Sequence, residues 1–385
     1  MGKAFISSFG LVKFGKRPEG VVDLMAQASQ ACLENAGLKG SERRVDEVVV
    51  ANMASGEFEG VSGVANALVS ELSLEPAYAL KVENVSGSGG SALMYAFRMV
   101  SSGWAERVLV VGGEKMSTLQ TPYVSKVVAS LCHPLERELG VTLPSYAGLL
   151  AKMYLSKANA PRESLAHIAV KNHYNGSLNP YAHLQNEITI EQALSSPMVA
   201  DPLRLYDFCP ISDGAAAVLV TSQDYAQSLS AKPVEVISSE GATDTHAVGE
   251  RLERLSLNSV RESSSRALKK AVMRPRELQL IEVHDMATVL EAVELEEIGV
   301  FPRFSGWRSA MDGATKLTGE IPVNTSGGLK AKGHPIGASG VAQAAEVYMQ
   351  LTGKAGPRQV RAENALTVSM GGFGNNSVST VYKVM

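Results

Sequence analysis

The sequence predicts a layered α/β protein made of two halves built on one plan, and three observations carry that prediction. The chain of 385 residues is longer than one ordinary hydrophobic core organises, so two domains or two fused halves are expected. Runs of strand character alternate with amphipathic helical runs, the pattern of helices layered on a sheet. The order of these elements recurs in the second half, although direct identity between the halves is slight.

Taken in order, Lys3 to Phe9 reads as a strand. Val21 to Ala36 places apolar residues at helical spacing and stops before Gly37, a suitable C-cap. Val45 to Asn52, Tyr78 to Val82 and Arg107 to Val111 are strands, and Val61 to Leu72 and Ala92 to Val100 are helices. From about 115 to 202 the composition shifts to Ser, Pro, His, Asn and Tyr, which predicts a lobe of loops and helices outside the sheet. Its clearest helix is Ser145 to Tyr154, after Pro144. Asp213-Gly214 then leads into a strand running to Val220. The second half follows with a strand at Pro233 to Ile237, a helix at Ser256 to Val272 and a strand at Leu278 to Val283. Met286 to Ile298 is a helix with an acidic face, Gly337 to Leu351 is another helix, and Asn364 to Val368 and Val378 to Tyr382 close the sheet. The halves are expected at 1–232 and 233–385.

Hydrophobic content of 45% and charged content of 19% fit a soluble globular protein, and a net charge of -3 argues against nucleic acid as the main partner. No apolar run approaches the roughly eighteen residues of a membrane span. The segment MGKAFISSFG lacks a long apolar core, so no secretory signal is expected, and Phe5-Ile6 reads as strand, which counts against myristoylation at Gly2. Cys32, Cys132 and Cys209 lie far apart with no CxxC, so neither a zinc site nor a disulfide framework is expected, and a cytoplasmic location follows by default. Cys32 falls in a helical apolar pattern and reads as core.

The turn from Ser86 to Ser91, between a strand and a helix, holds small residues only. A side chain at Ser86 would face the unpaired N–H groups and partial positive charge of a helix start, although a plain tight turn would look the same. The string Asn324 to Gly340 is more specific: it carries Gly327, Gly328, Gly333, Gly337 and Gly340, with His334 between Gly333 and Pro335 just before a helix. Glycine permits close backbone approach and proline restricts the residue before it. His284 ends a strand, where α/β folds place ligands, though a satisfied core histidine fits that position too. The Ser369 to Gly374 turn offers backbone N–H groups, Gly371 among them, to an oxyanion, or is a hairpin turn. Gly87 to Ala92 formally fits the dinucleotide fingerprint G-x-G-x-x-A, but it follows a strand with internal charge and leaves the His334 loop unexplained. Asn84 and Ser88 break the G-x-S-x-G frame of a serine hydrolase around Ser86.

Together Ser86, His284, His334 and the Gly371 turn resemble a thiolase site. Asn84 to Ala92 looks like the thiolase nucleophile loop, Gly333-His334-Pro335 resembles the GHP loop, and His284-Asp285-Met286 resembles the HDCF motif of sterol-carrier-protein-type and archaeal thiolases. Cys209 to Ala217 resembles the strand entry closing the N-terminal half, and the likeness spans essentially the whole chain. It implies a thiolase fold, two βαβαβαββ halves in a five-layer α/β/α/β/α arrangement with an inserted loop lobe, forming a homodimer. It also implies thiolytic cleavage of a 3-oxoacyl-CoA or the reverse Claisen condensation, with coenzyme A as substrate and no tightly bound cofactor or metal. Residue 86 would be the nucleophile, His334 its base, and His284 with His334 the holder of the thioester oxygen. The N–H groups of Ser86 and Gly371 would form a second oxyanion hole, while Asn324, Gly327, Gly328, Gly333 and Met286 would contact substrate or CoA. A small zinc-ribbon and OB-fold partner subunit is implied for the archaeal and bacterial branch.

Three positions depart from the family pattern. Its nucleophile is a cysteine, where this chain has Ser86, and its second cysteine falls at Met286 or Ser369. Cys209 matches a structural stretch and fills neither role. A thiol of pKa about 8.5 ionises readily beside a histidine, and a serine hydroxyl is far less acidic, so Ser86 predicts binding with little turnover. Retention of both histidines and the glycine loops favours an active enzyme whose cysteine has been replaced over a naturally silent CoA-binding or scaffold subunit.

Overall fold

The computed structural model describes residues 2–229 and 231–384. Its strands are β1 (Ala4–Leu11), β2 (Glu47–Ala51), β3 (Tyr78–Val82), β4 (Arg107–Glu114), β5 (Met198–Ala200), β6 (Leu203–Arg204), β7 (Gly214–Ser222), β8 (Val234–Thr243), β9 (Ile281–Glu282), β10 (Asn364–Gly371) and β11 (Asn376–Val384). Nine of them join in the order β3-β2-β4-β7-β1-β8-β11-β10-β9, and β5 and β6 form a separate ribbon. In the first half β3, β2 and β4 are parallel, and β7 and β1 continue antiparallel. The second half repeats this. Val323 bridges parallel to Ile281, β9 is parallel to β10, and β11 and β8 continue antiparallel. The halves meet where Ala4 to Ile6 of β1 pairs with Val234 to Val236 of β8.

The layers follow from alternation along the strands. In β4, Val108 and Val110 belong to one core and Leu109 and Val111 to another, so both faces are buried and the run reads as continuously apolar. The helix Val21–Asn35 covers one face of the first half-sheet, and the helix Asn258–Ala271 covers the outer face of the second. Between the half-sheets lie the helices Ser88–Ser101 and Ser339–Thr352, packed on each other and on strands of both halves. The result is five layers, α/β/α/β/α.

Two expectations change at this level. The helix expected from Met286 begins at Thr288, and its acids Glu291 and Glu294 are fully buried instead of forming a separate polar face. The lobe is mainly helical, with helices at Thr121–Ala129, Pro134–Glu138, Leu143–Ala158, Glu163–Ser177 and Ile190–Ser195. The third starts earlier than the apolar pattern alone suggests, because Thr142 and Ser145 form a reciprocal cap around Pro144.

Candidate active site

Ser86 sits on a sharp elbow between β3 and the helix Ser88–Ser101, and it is buried. Val85 before it has φ 54°, a left-handed conformation that costs a β-branched residue about 1–3 kcal/mol. Local bonds hold the turn. Ser88 Oγ accepts from the Asn84 N–H (2.8 Å) and donates to Val85 O (2.5 Å), and the Gly87 N–H donates to Asn84 O (3.0 Å). The glycines here admit other parts of the protein. A Cβ on Gly87 would stand 2.3 Å from Asn376 Oδ1 and 3.3 Å from Gly371 N, and one on Gly90 would stand 2.5 Å from Ser369 Cβ. Gly371 is thus next to the elbow. Ser369 lies behind it, its Oγ accepting from the Gly90 N–H (3.2 Å) and donating to Ser86 O (3.5 Å).

His334 comes from the glycine-rich loop that leads into the helix Ser339–Thr352. Its Nδ1 is 2.7 Å from Ser339 Oγ, and that hydroxyl donates its one proton to Pro335 O at 2.9 Å. Ser339 therefore accepts from Nδ1–H, which leaves Nε2 with its lone pair. The His284 ring meets His334 edge-on, with centroids 5.0 Å apart and planes at 87°. His284 is fully buried, and among the described residues neither of its ring nitrogens has a hydrogen-bond partner. A buried polar atom left unpaired costs about 1–3 kcal/mol. Burial lowers the His334 pKa to about 3, with a smaller contribution from the Lys332 cation. Burial also holds His284 well below the usual imidazole range, aided by His334 and Lys332. Both rings are neutral near pH 7.

Buried polar groups fix this arrangement. Glu294 accepts from the His284 backbone N–H (3.0 Å), and Asp285 accepts from Asn172 Nδ2 (2.8 Å) and the Leu329 N–H (2.7 Å). Glu114 at the end of β4 accepts from Asn52 Nδ2 and from the N–H groups of Met53, Ala54 and Gly337, tying the His334 loop to the first half. Burial raises the Glu114 carboxyl to about 7. Nothing in the sequence marks Glu114, because its partners are spread over more than 200 positions.

Ser86, Met286 and His334 line one cavity of about 280 Å³, walled otherwise by mainly apolar side chains of the lobe and of the 205–211 segment that follows it. Four expected ligand contacts are placed elsewhere. Asn324 is fully buried, its Oδ1 accepting from the Val283 N–H (3.0 Å) and its Nδ2 donating to Glu291 (2.9 Å). A Cβ on Gly327, Gly328 or Gly333 would meet Gly176, Asp285 or Ser212 within 2.8 Å, so these glycines admit protein neighbours. Cys209, read as lying outside the site, lines the cavity beside Met286, whose carbonyl accepts from its N–H at 3.0 Å. Sequence spacing carries no sign of that register. Burial pushes the Cys209 thiol up to about 12. Among the described residues no group of three or more His, Cys, Asp or Glu side chains is arranged to hold a metal ion, and no helix is long and apolar enough to cross a membrane.

Comparison with known proteins agrees with this geometry. Residues 4–224 match the family model "Thiolase, N-terminal domain" and residues 241–384 match "Thiolase C-terminal domain-like". An acetyl-CoA acetyltransferase of Methanothermobacter thermautotrophicus is 38% identical over 361 residues, covering 94% of each chain. Sterol carrier protein 2 of Rattus norvegicus is 30% identical over 405 residues, covering 99% of this chain and 72% of the relative. Among solved structures, an Ltp2-ChsH2(DUF35) aldolase superposes with TM-score 0.86 at 21% identity, covering 100% of this chain and 98% of that one. Human mitochondrial 3-ketoacyl-CoA thiolase in complex with CoA superposes with TM-score 0.75 at 18% identity, covering 100% and 98%. With family models matching residues 4–224 and 241–384 and a relative 38% identical over 94% of each chain, the chain belongs to the thiolase family.

Proposed function

We propose that this protein works on the Cα–Cβ bond of a CoA thioester, with thiolysis of a 3-oxoacyl-CoA, or the reverse Claisen condensation, as the reaction its site supports best. The observation that carries this reading is His284, buried with both ring nitrogens unpaired, edge-on to a neutral His334 at the cavity that holds Ser86. A neutral His284, and a His334 that has taken up the proton of residue 86 on Nε2, can each donate a hydrogen bond to the oxygen of a thioester enolate, where negative charge develops. His334 would take the proton of residue 86, and the attacking oxygen or sulfur would add to the 3-oxo carbon to give a tetrahedral adduct. As that adduct collapses the Cα–Cβ bond breaks, leaving the acyl-enzyme and the enolate, whose protonation releases a CoA thioester. The thiol of a second CoA then attacks the acyl-enzyme, residue 86 leaves and takes a proton back from His334, and the shortened acyl-CoA is released. The N–H groups of Ser86 and Gly371 would hold the tetrahedral oxyanion. CoA enters as substrate, and no bound cofactor is required.

A serine at residue 86 leaves this sequence slow at acyl transfer. Ser86→Cys tests the reading. Acetoacetyl-CoA thiolysis, followed by loss of the 3-oxo thioester, should rise by about two orders of magnitude or more. Equal rates at saturating substrate would remove residue 86 from the chemistry and favour a CoA-binding or scaffold role. The absence of a thiol at 86, 286 and 369 together favours a second reading. Retro-aldol cleavage of a 3-hydroxyacyl-CoA needs no acyl-enzyme: a base takes the hydroxyl proton, the Cα–Cβ bond breaks to a carbonyl product, and the same histidines hold the enolate until it is protonated. The structural neighbour named as an aldolase keeps this fold. Release of aldehyde or ketone from a 3-hydroxyacyl-CoA by the Ser86 protein would select this reaction. That neighbour's name includes a DUF35 protein, which supports a small partner subunit here, and a cytoplasmic homodimer divided at about 232/233 completes the proposal.

A further inference from the structure

Ser86 and His334 open onto a cavity of about 280 Å³. An acetyl group has three heavy atoms and fills about 90 Å³, at the roughly 30 Å³ that a water-sized group occupies in a liquid. Most of the cavity therefore lies beyond a two-carbon acyl chain. Its walls come from the lobe and from the 205–211 segment that follows it. Val124 and Val128, one turn apart on the helix Thr121–Ala129, share a face toward it, and Leu143, Phe208 and Ile211 close it with Met286. Met286 stands where the family pattern has a thiol, and its thioether adds apolar surface and has no proton to transfer. Among the described residues that line the cavity, none is Asp, Glu, Lys or Arg. A carboxylate on the acyl chain would be desolvated there with no cation to pair it, at a cost of several kcal/mol.

We propose that the acyl group this protein accepts is uncharged and bulky, a medium-length, branched or aryl-bearing chain seated between the Thr121–Ala129 helix and Met286. This rests on the acyl-CoA reading above and names its substrate class. Apolar contact area sets the preference, since each added methylene in an apolar pocket is worth about tenfold or more.

The test uses the Ser86 protein and thioesters without a 3-oxo group, so binding is read without turnover. Calorimetry compares free CoA, acetyl-CoA, succinyl-CoA, octanoyl-CoA and 3-phenylpropanoyl-CoA. Octanoyl-CoA and 3-phenylpropanoyl-CoA should bind at least about tenfold tighter than acetyl-CoA, and succinyl-CoA no tighter than acetyl-CoA. Val128→Trp, which fills the cavity, should narrow the octanoyl/acetyl ratio to below about threefold. Ala129→Phe serves the same purpose if the tryptophan variant does not fold. Equal affinities across the panel, or tightest binding of succinyl-CoA, would overturn the substrate class while leaving the acyl-CoA reading intact. An unchanged ratio in both cavity variants would place the chain elsewhere and overturn it too. If no CoA species binds, the acyl-CoA reading falls and takes this inference with it.

Discussion

At the scale of single residues, the division of labour between the two histidines can be read separately from turnover. His334 has a free Nε2 because Ser339 takes its Nδ1–H, whereas His284 has no partner at either nitrogen. In the Ser86→Cys protein, His334→Ala is expected to raise the apparent thiol pKa and slow alkylation of residue 86 by iodoacetamide at neutral pH. His284→Ala should leave alkylation nearly unchanged yet abolish condensation, because the enolate loses its donor. A larger slowing in His284→Ala would reverse the two roles. Protonation gives a second handle. The His334 pKa falls from 6.5 to about 3 on folding, so between those values the unfolded chain binds more protons. This histidine's contribution to stability is complete above 6.5 and is lost as pH falls toward 3. Glu114 acts in the opposite sense. Its pKa rises from 4.5 to about 7, so between those values the folded chain binds more protons and this group gains stability as pH falls. His334→Gln removes only the first effect. Its melting temperature should fall less than that of the parent between pH 6.5 and 4, and parallel curves would show that His334 does not titrate in this way.

At the scale of elements, the central helix pair depends on close backbone approach. A Cβ on Gly89 would lie 2.8 Å from Val341 N and 2.9 Å from Gly340 Cα, so the two helices touch through backbone atoms. Alanine favours a helix over glycine by up to about 1 kcal/mol, but here overpacking should dominate. Gly89→Ala is expected to destabilise by about 1–3 kcal/mol, read as a lower urea midpoint. An unchanged or raised midpoint would mean that the helices can separate at no cost. The same contact explains why the site lies where it does. The Ser88–Ser101 helix begins at the Ser86 elbow and the Ser339–Thr352 helix begins just after His334, so packing their N-terminal turns together brings Ser86 and His334 to one cavity.

At the scale of the molecule, β3 is an edge of the nine-stranded sheet, and Tyr78 on it is exposed. An unpaired edge is a template for a second strand, and an isologous pairing of β3 with its copy would extend the sheet across a two-fold axis. Light scattering in solution should give twice the chain mass, and Leu80→Pro in β3 should shift it toward one. A monomeric parent, free of any partner, would remove the proposed dimer. How much of this was legible from sequence varied with the range of the interaction. Strand and helix order, the two-part plan and the small-residue elbow were set by local patterning, because periodicity and glycine content act over a few neighbouring residues. The acidic residues of the Thr288–Ile298 helix do not form the expected polar face, since Glu291 is buried against Asn172 from a distant segment and Glu294 against the backbone N–H of His284. The glycines of the 324–340 string were likewise legible as sites of close approach, but not what approaches them. Motif resemblance pointed to Ser86, His284 and His334, yet the meeting of Ser86 and His334 at one cavity, with the His284 ring packed against His334, depends on two half-sheets packing around a shared helix layer. Cys209 at the cavity wall and Glu114 under the His334 loop were decided by tertiary structure alone. Their positions follow from pairings between residues far apart in the chain, and nothing in a local pattern encodes such a pairing.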